Sequence, residues 1–220
     1  MKNKNTPKIN YYPSALTIAA GDSCGSSGIQ ADLRTFNAYA VYGCSAITAI
    51  NAQNNKKISA SFDVPAKLIE NQIDTILESI PLSFAKSGML GNSDIIRSVA
   101  HCVAEHKLKL VVDPVLFNMS NKVMLDKNAI DTLRNELFKT AYAITTNIKE
   151  AEILLDCKIS DERELFNAAR KLSDIYNVIT VVKGADLNNN KYAIDAVAFE
   201  GHIYQLRSPM LKNCRHSHGA

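Results

Sequence analysis

Residues 15–32, from Ala15 to Asp32, read ALTIAAGDSCGSSGIQAD. An apolar run through Leu16, Ile18, Ala19 and Ala20 stops at Gly21. Gly25 and Gly28 follow among small polar residues, and an amphipathic segment then begins at Ile29. A strand that ends in a glycine-rich turn and feeds a helix brings main chain close to a bound small molecule. The turn is not a Walker loop, because no Gly-Lys-Ser/Thr follows. It is not the dinucleotide fingerprint either, because the G-x-G-x-x-G order is missing. Spacing alone leaves two readings open: a ligand-binding turn and a plain strand-to-helix junction.

Outward from this stretch, strands and helices alternate, which predicts a largely parallel sheet covered by helices. The first strand is expected at about Ser14 to Ala20, and the helix after Gly28 puts Ile29, Leu33, Phe36 and Ala40 on one face. Ser45 to Ile50 reads as a second strand and Ile58 to Val64 as a short extra one, ended by Pro65. Pro65 starts a helix with Leu68, Ile69, Ile73, Ile76 and Leu77 at helical spacing. Phe84 to Ser87, Leu108 to Val112, Tyr142 to Thr145 and Val178 to Val182 read as further strands. Between them lie helical faces made by Ile95, Ile96, Val99, Cys102 and Val103, by Ile130, Leu133 and Leu137, and by Leu165, Phe166, Ala169, Leu172 and Ile175. A hairpin turning at Glu200-Gly201 joins Ala193–Phe199 to His202–Leu206. Residues 1–13 read as a disordered tail, and residues 14–220 as one domain.

Composition narrows the function classes. The chain has 220 residues, 46% of them hydrophobic, enough for one sizeable core. With 25 basic and 22 acidic residues the net charge is +3, which argues for neither nucleic acid nor an acidic membrane surface as partner. The five cysteines are scattered, with no C-x-x-C, as suits a reducing cytoplasm where most are small core residues. No apolar run reaches transmembrane length, and MKNKNTPKIN makes a poor signal peptide.

In an open α/β sheet, ligands bind beyond the carboxyl ends of the strands. The polar residues there are the candidates: Asp22, Asp32, Gln53, Asp113, Asn147, Glu150 and Lys183, with Met89 beside them. Most have a structural alternative. Asp32, read in the first turn of its helix, could simply complement the helix dipole. Asp113 before Pro114 could be a turn residue. Asn147 and Glu150 could be an N-cap with its first-turn acid. The run Cys214-Arg-His-Ser-His218 could be metal-ligating, though one short tract rarely completes a tetrahedral site.

The wording of several segments goes further. GDSCGSSGIQAD resembles the GSDSSGGAGIQAD-type signature of the hydroxymethylpyrimidine and phosphomethylpyrimidine kinases of thiamine biosynthesis, members of the ribokinase-like superfamily. TAINAQN (Thr48 to Asn54), KSGML (Lys86 to Leu90), VVDPV (Val111 to Val115), TNIKEAEIL (Thr146 to Leu154) and VVKGAD (Val181 to Asp186) agree in order. The resemblance runs from about Ser14 to the last residue. It implies a three-layer α/β/α sandwich with a mostly parallel central sheet, and ATP-dependent phosphorylation of 4-amino-5-hydroxymethyl-2-methylpyrimidine and of its monophosphate. The alternatives are a pyridoxal or pyridoxine kinase and a catalytically impaired pyrimidine-binding remnant.

By the same resemblance, Gly21, Asp32, Gln53, Met89 and Val115 hold the pyrimidine. Asn147, Lys183 and Gly219 bind ATP phosphates, Lys183 with a catalytic part, and Asp113 and Glu150 organise Mg2+. The sequence departs from the family where KGAD replaces KGGH and where Thr146 replaces a proline. HSHGA (His216 to Ala220) resembles the start of the family's NTHGTGC element, so the family's catalytic cysteine and C-terminal helices have no counterpart up to Ala220. The expectations are a poor kinase, marginal stability, and a sheet face near the first strand that exposes Ile18 and Val181. A cytoplasmic location is expected, and homodimerisation stays open.

Overall fold

The computed structural model describes residues 12–54, 56–118, 122–187 and 191–210. Its centre is a nine-stranded sheet in the order β3-β2-β1-β4-β5-β6-β7-β8-β9. The strands are β1 (Ser14–Asp22), β2 (Tyr42–Gln53), β3 (Ile58–Asp63), β4 (Phe84–Ser87), β5 (Lys109–Val112), β6 (Ala141–Asn147), β7 (Ile179–Lys183), β8 (Tyr192–Phe199) and β9 (His202–Pro209). From β2 to β7 the pairing is parallel, whereas β3, β8 and β9 add antiparallel edges. The largely parallel, helix-covered sheet expected from the alternating pattern is therefore observed, and it agrees with the α/β architecture that the resemblance implied. Strand order reverses beside β1, where a doubly wound sheet opens a crevice at its carboxyl edge.

The helices are α1 (Gly28–Ala38), α2 (Ala66–Leu77), α3 (Ser93–Glu105), α4 (Lys127–Thr132), α5 (Phe138–Thr140), α6 (Ile148–Leu155) and α7 (Glu162–Tyr176), with a π turn at Leu133–Leu137 joining α4 to α5. Their apolar stripes bury Ile69 and Ile73 from α2, Ile95, Ile96 and Val99 from α3, and Leu165, Ala169 and Leu172 from α7 in one core with Leu16, Ile18, Leu110 and Val112. Side chains alternate along a strand, so Thr17 and Ala19 point to the opposite face, where α1 lies. Asn92 and Asp161 cap α3 and α7 with side-chain acceptors, as their residue types favour.

Several expectations need correction. Ala40 lies beyond α1, exposed and at φ 55°, and so belongs to no helix face. Leu68 and Ile175 are 51% and 61% exposed because each stands at the edge of its helix's apolar stripe. Ile18 is fully buried, not exposed, because it faces the covered side of the sheet. Val181 is half-buried on the other side, in register with Val197 and, beyond it, Tyr204. The hairpin is as expected: Phe199 pairs with His202 across Glu200 and Gly201, both at positive φ, as a type I′ turn requires.

The decisive glycine is Gly28. It has φ +60°, and a Cβ built there would meet the Ala20 carbonyl oxygen at 2.2 Å. Both the backbone angle and the space demand glycine, because α1 starts directly against the end of β1. Gly28→Ala is expected to cost roughly 2 kcal/mol or more, the clash adding to the left-handed strain. Urea unfolding checks this, and a midpoint equal to wild type would show that the junction relaxes freely.

Candidate active site

The carboxyl edge of the parallel strands opens into a cavity of about 580 Å³. Nine of the residues singled out in the sequence line it: Asp22, Asp32, Gln53, Met89, Asp113, Val115, Asn147, Glu150 and Lys183. They come from β1, β2, α1, β6, α6, β7 and the segments after β4 and β5, so the sheet and the helices that follow its strands bring them together. Gly21 is not among the lining residues. β1 runs on to Asp22 and pairs Gly21 with Ile50, so the turn begins later than the apolar run suggests. Gly219 and the cysteine-histidine run Cys214 to His218 lie outside the described residues.

The turn after β1 is organised by Asp22, which is 2% exposed. Its carboxylate accepts from the backbone N–H groups of Cys24, Ser26 and Ser27 at 2.8–3.0 Å and from the Ser26 and Ser27 hydroxyls at 3.0 and 2.9 Å. Burial pushes its pKa up, but these hydrogen bonds outweigh burial and hold it below the ordinary aspartate value. The internal carboxylate thus gathers the amides of the turn that leads into α1. Asp22 stood among the candidates just after the apolar run, but nothing in its spacing revealed this role.

Gln53 ends β2 at the cavity wall. Its backbone N–H donates to the Ser23 hydroxyl at 2.8 Å, while that hydroxyl donates to the Gln53 carbonyl at 2.8 Å. The side-chain amide donates to the Ser27 hydroxyl at 3.4 Å, and its oxygen receives no hydrogen bond from any described residue. An amide so placed offers an acceptor and a second donor to a heteroaromatic edge. Asp32 sits one turn into α1, not in its first turn, which removes the helix-dipole reading. Its Oδ2 accepts from Thr17 Oγ1 at 2.6 Å and from Lys86 Nζ at 2.9 Å. Thr17 and Lys86 were missed in the sequence, where each reads as an ordinary strand residue.

At the other end of the cavity, Asn147 and Glu150 form a full capping box on α6. The Asn147 side chain accepts from Glu150 N–H at 2.9 Å, and Glu150 Oε2 accepts from Asn147 N–H at 3.0 Å. Glu150 Oε1 also accepts from Leu116 N–H at 3.0 Å, which ties the segment after β5 to α6. The residue before it, Val115, has φ 45°, a strained angle for a β-branched side chain. Glu150 is 3% exposed, and burial pushes its pKa up, with Asp113 adding to the rise. Glu150 is thus at once the acid of the capping box and a lining residue of the cavity. Asp113 Oδ1 and Lys183 Nζ stand 3.8 Å apart across the opening.

Among the described residues, no group of three or more His, Cys, Asp or Glu could hold a metal by itself. The donors at this end fit a hard cation of the Mg2+ kind, which takes one or two carboxylates and completes its shell with water and phosphate oxygens. Asp113 is the accessible carboxylate. Glu150, already holding two amides, has lone pairs left for a metal-bound water. No described helix is long and apolar enough to cross a membrane.

Comparison with known proteins identifies a family. The family model for phosphomethylpyrimidine kinase matches residues 22–220. A hydroxymethylpyrimidine/phosphomethylpyrimidine kinase of Bacillus subtilis is 35% identical over 207 residues, covering 93% of this chain and 76% of that protein. The thiamine biosynthesis bifunctional protein ThiED of Geobacter sulfurreducens is 38% identical over 175 residues, and the match covers 79% of this chain but 36% of that longer protein. Among solved structures, a phosphomethylpyrimidine kinase from Clostridium difficile superposes with TM-score 0.82 at 35% identity, covering 89% of this chain and 84% of that one. An ADP complex of a Bacillus subtilis pyridoxal kinase superposes with TM-score 0.84 at 32% identity, covering 93% and 78%.

Proposed function

Because this chain belongs to the phosphomethylpyrimidine kinase family, we propose that its cavity binds 4-amino-5-hydroxymethyl-2-methylpyrimidine or its monophosphate together with ATP and transfers the terminal phosphoryl group. The observation that carries this reading is the convergence of nine residues, far apart in sequence and most of them at or just after strand ends, on one cavity. The acceptor oxygen is the hydroxymethyl oxygen in the first step and a phosphate oxygen in the second. It bonds to the γ-phosphorus as the bond to the β–γ bridging oxygen breaks, and ADP leaves. Such transfer asks a protein for positioning and charge stabilisation more than for covalent chemistry.

The chain's residues divide that work by place. Gln53 and Asp32 supply polar contacts to the ring, with Met89 and Val115 as apolar walls. Asn147 and Lys183 lie toward the phosphates, where a cation offsets the charge in flight. Asp113, directly, and Glu150, through water, would hold Mg2+, which supplies charge neutralisation between phosphate oxygens when bound.

Gln53→Ala is expected to weaken pyrimidine binding by roughly 1–3 kcal/mol, the value of a buried hydrogen bond to ligand, and to leave Mg-ATP binding alone. Calorimetric titration of each ligand checks it, and equal pyrimidine affinities would remove Gln53 from the site. The second reading, a pyridoxal kinase, has its own support in the pyridoxal kinase superposition. Competing the pyrimidine against pyridoxal in the same titration separates them. Tighter pyridoxal binding would overturn the pyrimidine assignment.

A further inference from the structure

We propose that Lys86 is a positioning residue for the ring substrate: with Thr17 it pins the Asp32 carboxylate, so that a fixed acceptor faces an exocyclic amino group. The inference rests on the reading above, that the cavity takes an aminopyrimidine. Thr17 and Lys86 are directly paired on the adjacent strands β1 and β4, so their side chains rise from the same face of the sheet toward α1. Both donate to one oxygen of Asp32, Oδ2, at 2.6 and 2.9 Å. The other oxygen, Oδ1, receives no hydrogen bond from any described residue, and Asp32 lines the cavity.

The surroundings hold this arrangement in place. Thr17 is fully buried, and the Lys86 and Asp32 side chains are 27% and 16% exposed. In so poorly solvated a site, a charge-assisted pair is stronger than on a surface. Gly88 leaves room for the ammonium: a Cβ there would stand 3.3 Å from Lys86 Nζ and 2.9 Å from the Ala19 Cβ. A pinned carboxylate loses little freedom when a ligand binds, which is the usual gain from preorganisation. An ionised carboxylate only accepts hydrogen bonds, so it favours a ring that carries an N–H donor over the same ring without one. Lys86 also lines the cavity and spends one of its three N–H donors on Asp32. Its part in selectivity is the one it plays through that carboxylate, and the Asp32→Asn background separates it from any direct contact.

The test is calorimetric titration of 4-amino-5-hydroxymethyl-2-methylpyrimidine and of its analogue lacking the 4-amino group. Proteins compared are wild type, Lys86→Met, Thr17→Val, Thr17→Ser, Asp32→Asn and the double variant Lys86→Met/Asp32→Asn. Lys86→Met is expected to lose about tenfold in affinity for the amino ligand and less than about twofold for the deamino one. Thr17→Val should shift the same way by less, and Thr17→Ser, which keeps the hydroxyl, should match wild type. In the Asp32→Asn background, Lys86→Met should add nothing. Mg-ATP affinity, unchanged throughout, reports that each variant is folded. If Lys86→Met does not fold, the Thr17 pair carries the same comparison. Equal loss on both ligands, no loss at all, or a Lys86→Met effect that persists beside Asp32→Asn would each overturn the inference. A wild-type protein that binds neither pyrimidine overturns the functional reading itself, and this inference with it, which is distinct from the failures above.

Discussion

Asp22→Asn is expected to destabilise the protein by roughly 3 kcal/mol and to weaken pyrimidine binding as a consequence. Hydrogen bonds to a charged group are individually worth about 1.5–3 kcal/mol, and they are not additive here because they share one carboxylate. The asparagine amide would set N–H against N–H at the turn, where three backbone amides and two hydroxyls now converge. Against a typical net stability of about 5–15 kcal/mol this is a large fraction. The effect has a defined pH dependence. The folded-state pKa of Asp22 lies below its unfolded value. Its stabilisation is therefore complete above the unfolded aspartate pKa and is lost as pH falls through that value toward the folded one. Urea midpoints for both proteins, measured from neutral pH downward, should converge at the acid end. Parallel curves at all pH values would mean that the carboxylate charge is not what holds the turn.

Lys183→Met is expected to lower turnover by about 10²–10³, the range for removing one preorganised group that stabilises charge in transfer. The lysine ends β7 at the mouth of the cavity, its side chain is 44% exposed, and its nearest acidic partner, Asp113, is 3.8 Å away. So loose and solvated a pair adds little to stability, and the variant should unfold like wild type. The measurement is phosphopyrimidine formed per enzyme at saturating ATP and Mg2+, beside a thermal melt. A fall of less than about threefold with an unchanged melt would leave Lys183 only as a solvated neighbour of Asp113. A lowered melt would mean that the ion pair matters to the fold.

These two residues differ in how visible they were. Lys183 leaves a short β-branched strand into a glycine, and a cation at the carboxyl end of a buried strand is legible from local pattern. Asp113, Asn147 and Glu150 were visible in the same way, and the Asn147–Glu150 cap could be read directly, because a capping box is a contact between residues three apart. The alternation of strands and helices likewise carried the sheet, since periodicity reports which face of each element is apolar.

Other features depend on contacts between distant segments and left no local trace. Thr17, Asp32 and Lys86 meet only because β4 lies beside β1 and α1 folds back over both. The two oxygens of Glu150 are satisfied partly from its own turn and partly from Leu116, 34 residues away. Ile18 and Val181 read alike as apolar strand residues, yet one is sealed and the other half-buried, because burial depends on what covers each face of the sheet. Ile175 and Leu68 fit a helical stripe and still face solvent, since the stripe is wider than the surface it packs on. Short-range chemistry is written in adjacent residues, through caps, turns and periodicity. Strand order, the packing of α1 and the meeting of nine residues at one cavity arise only when the chain closes on itself.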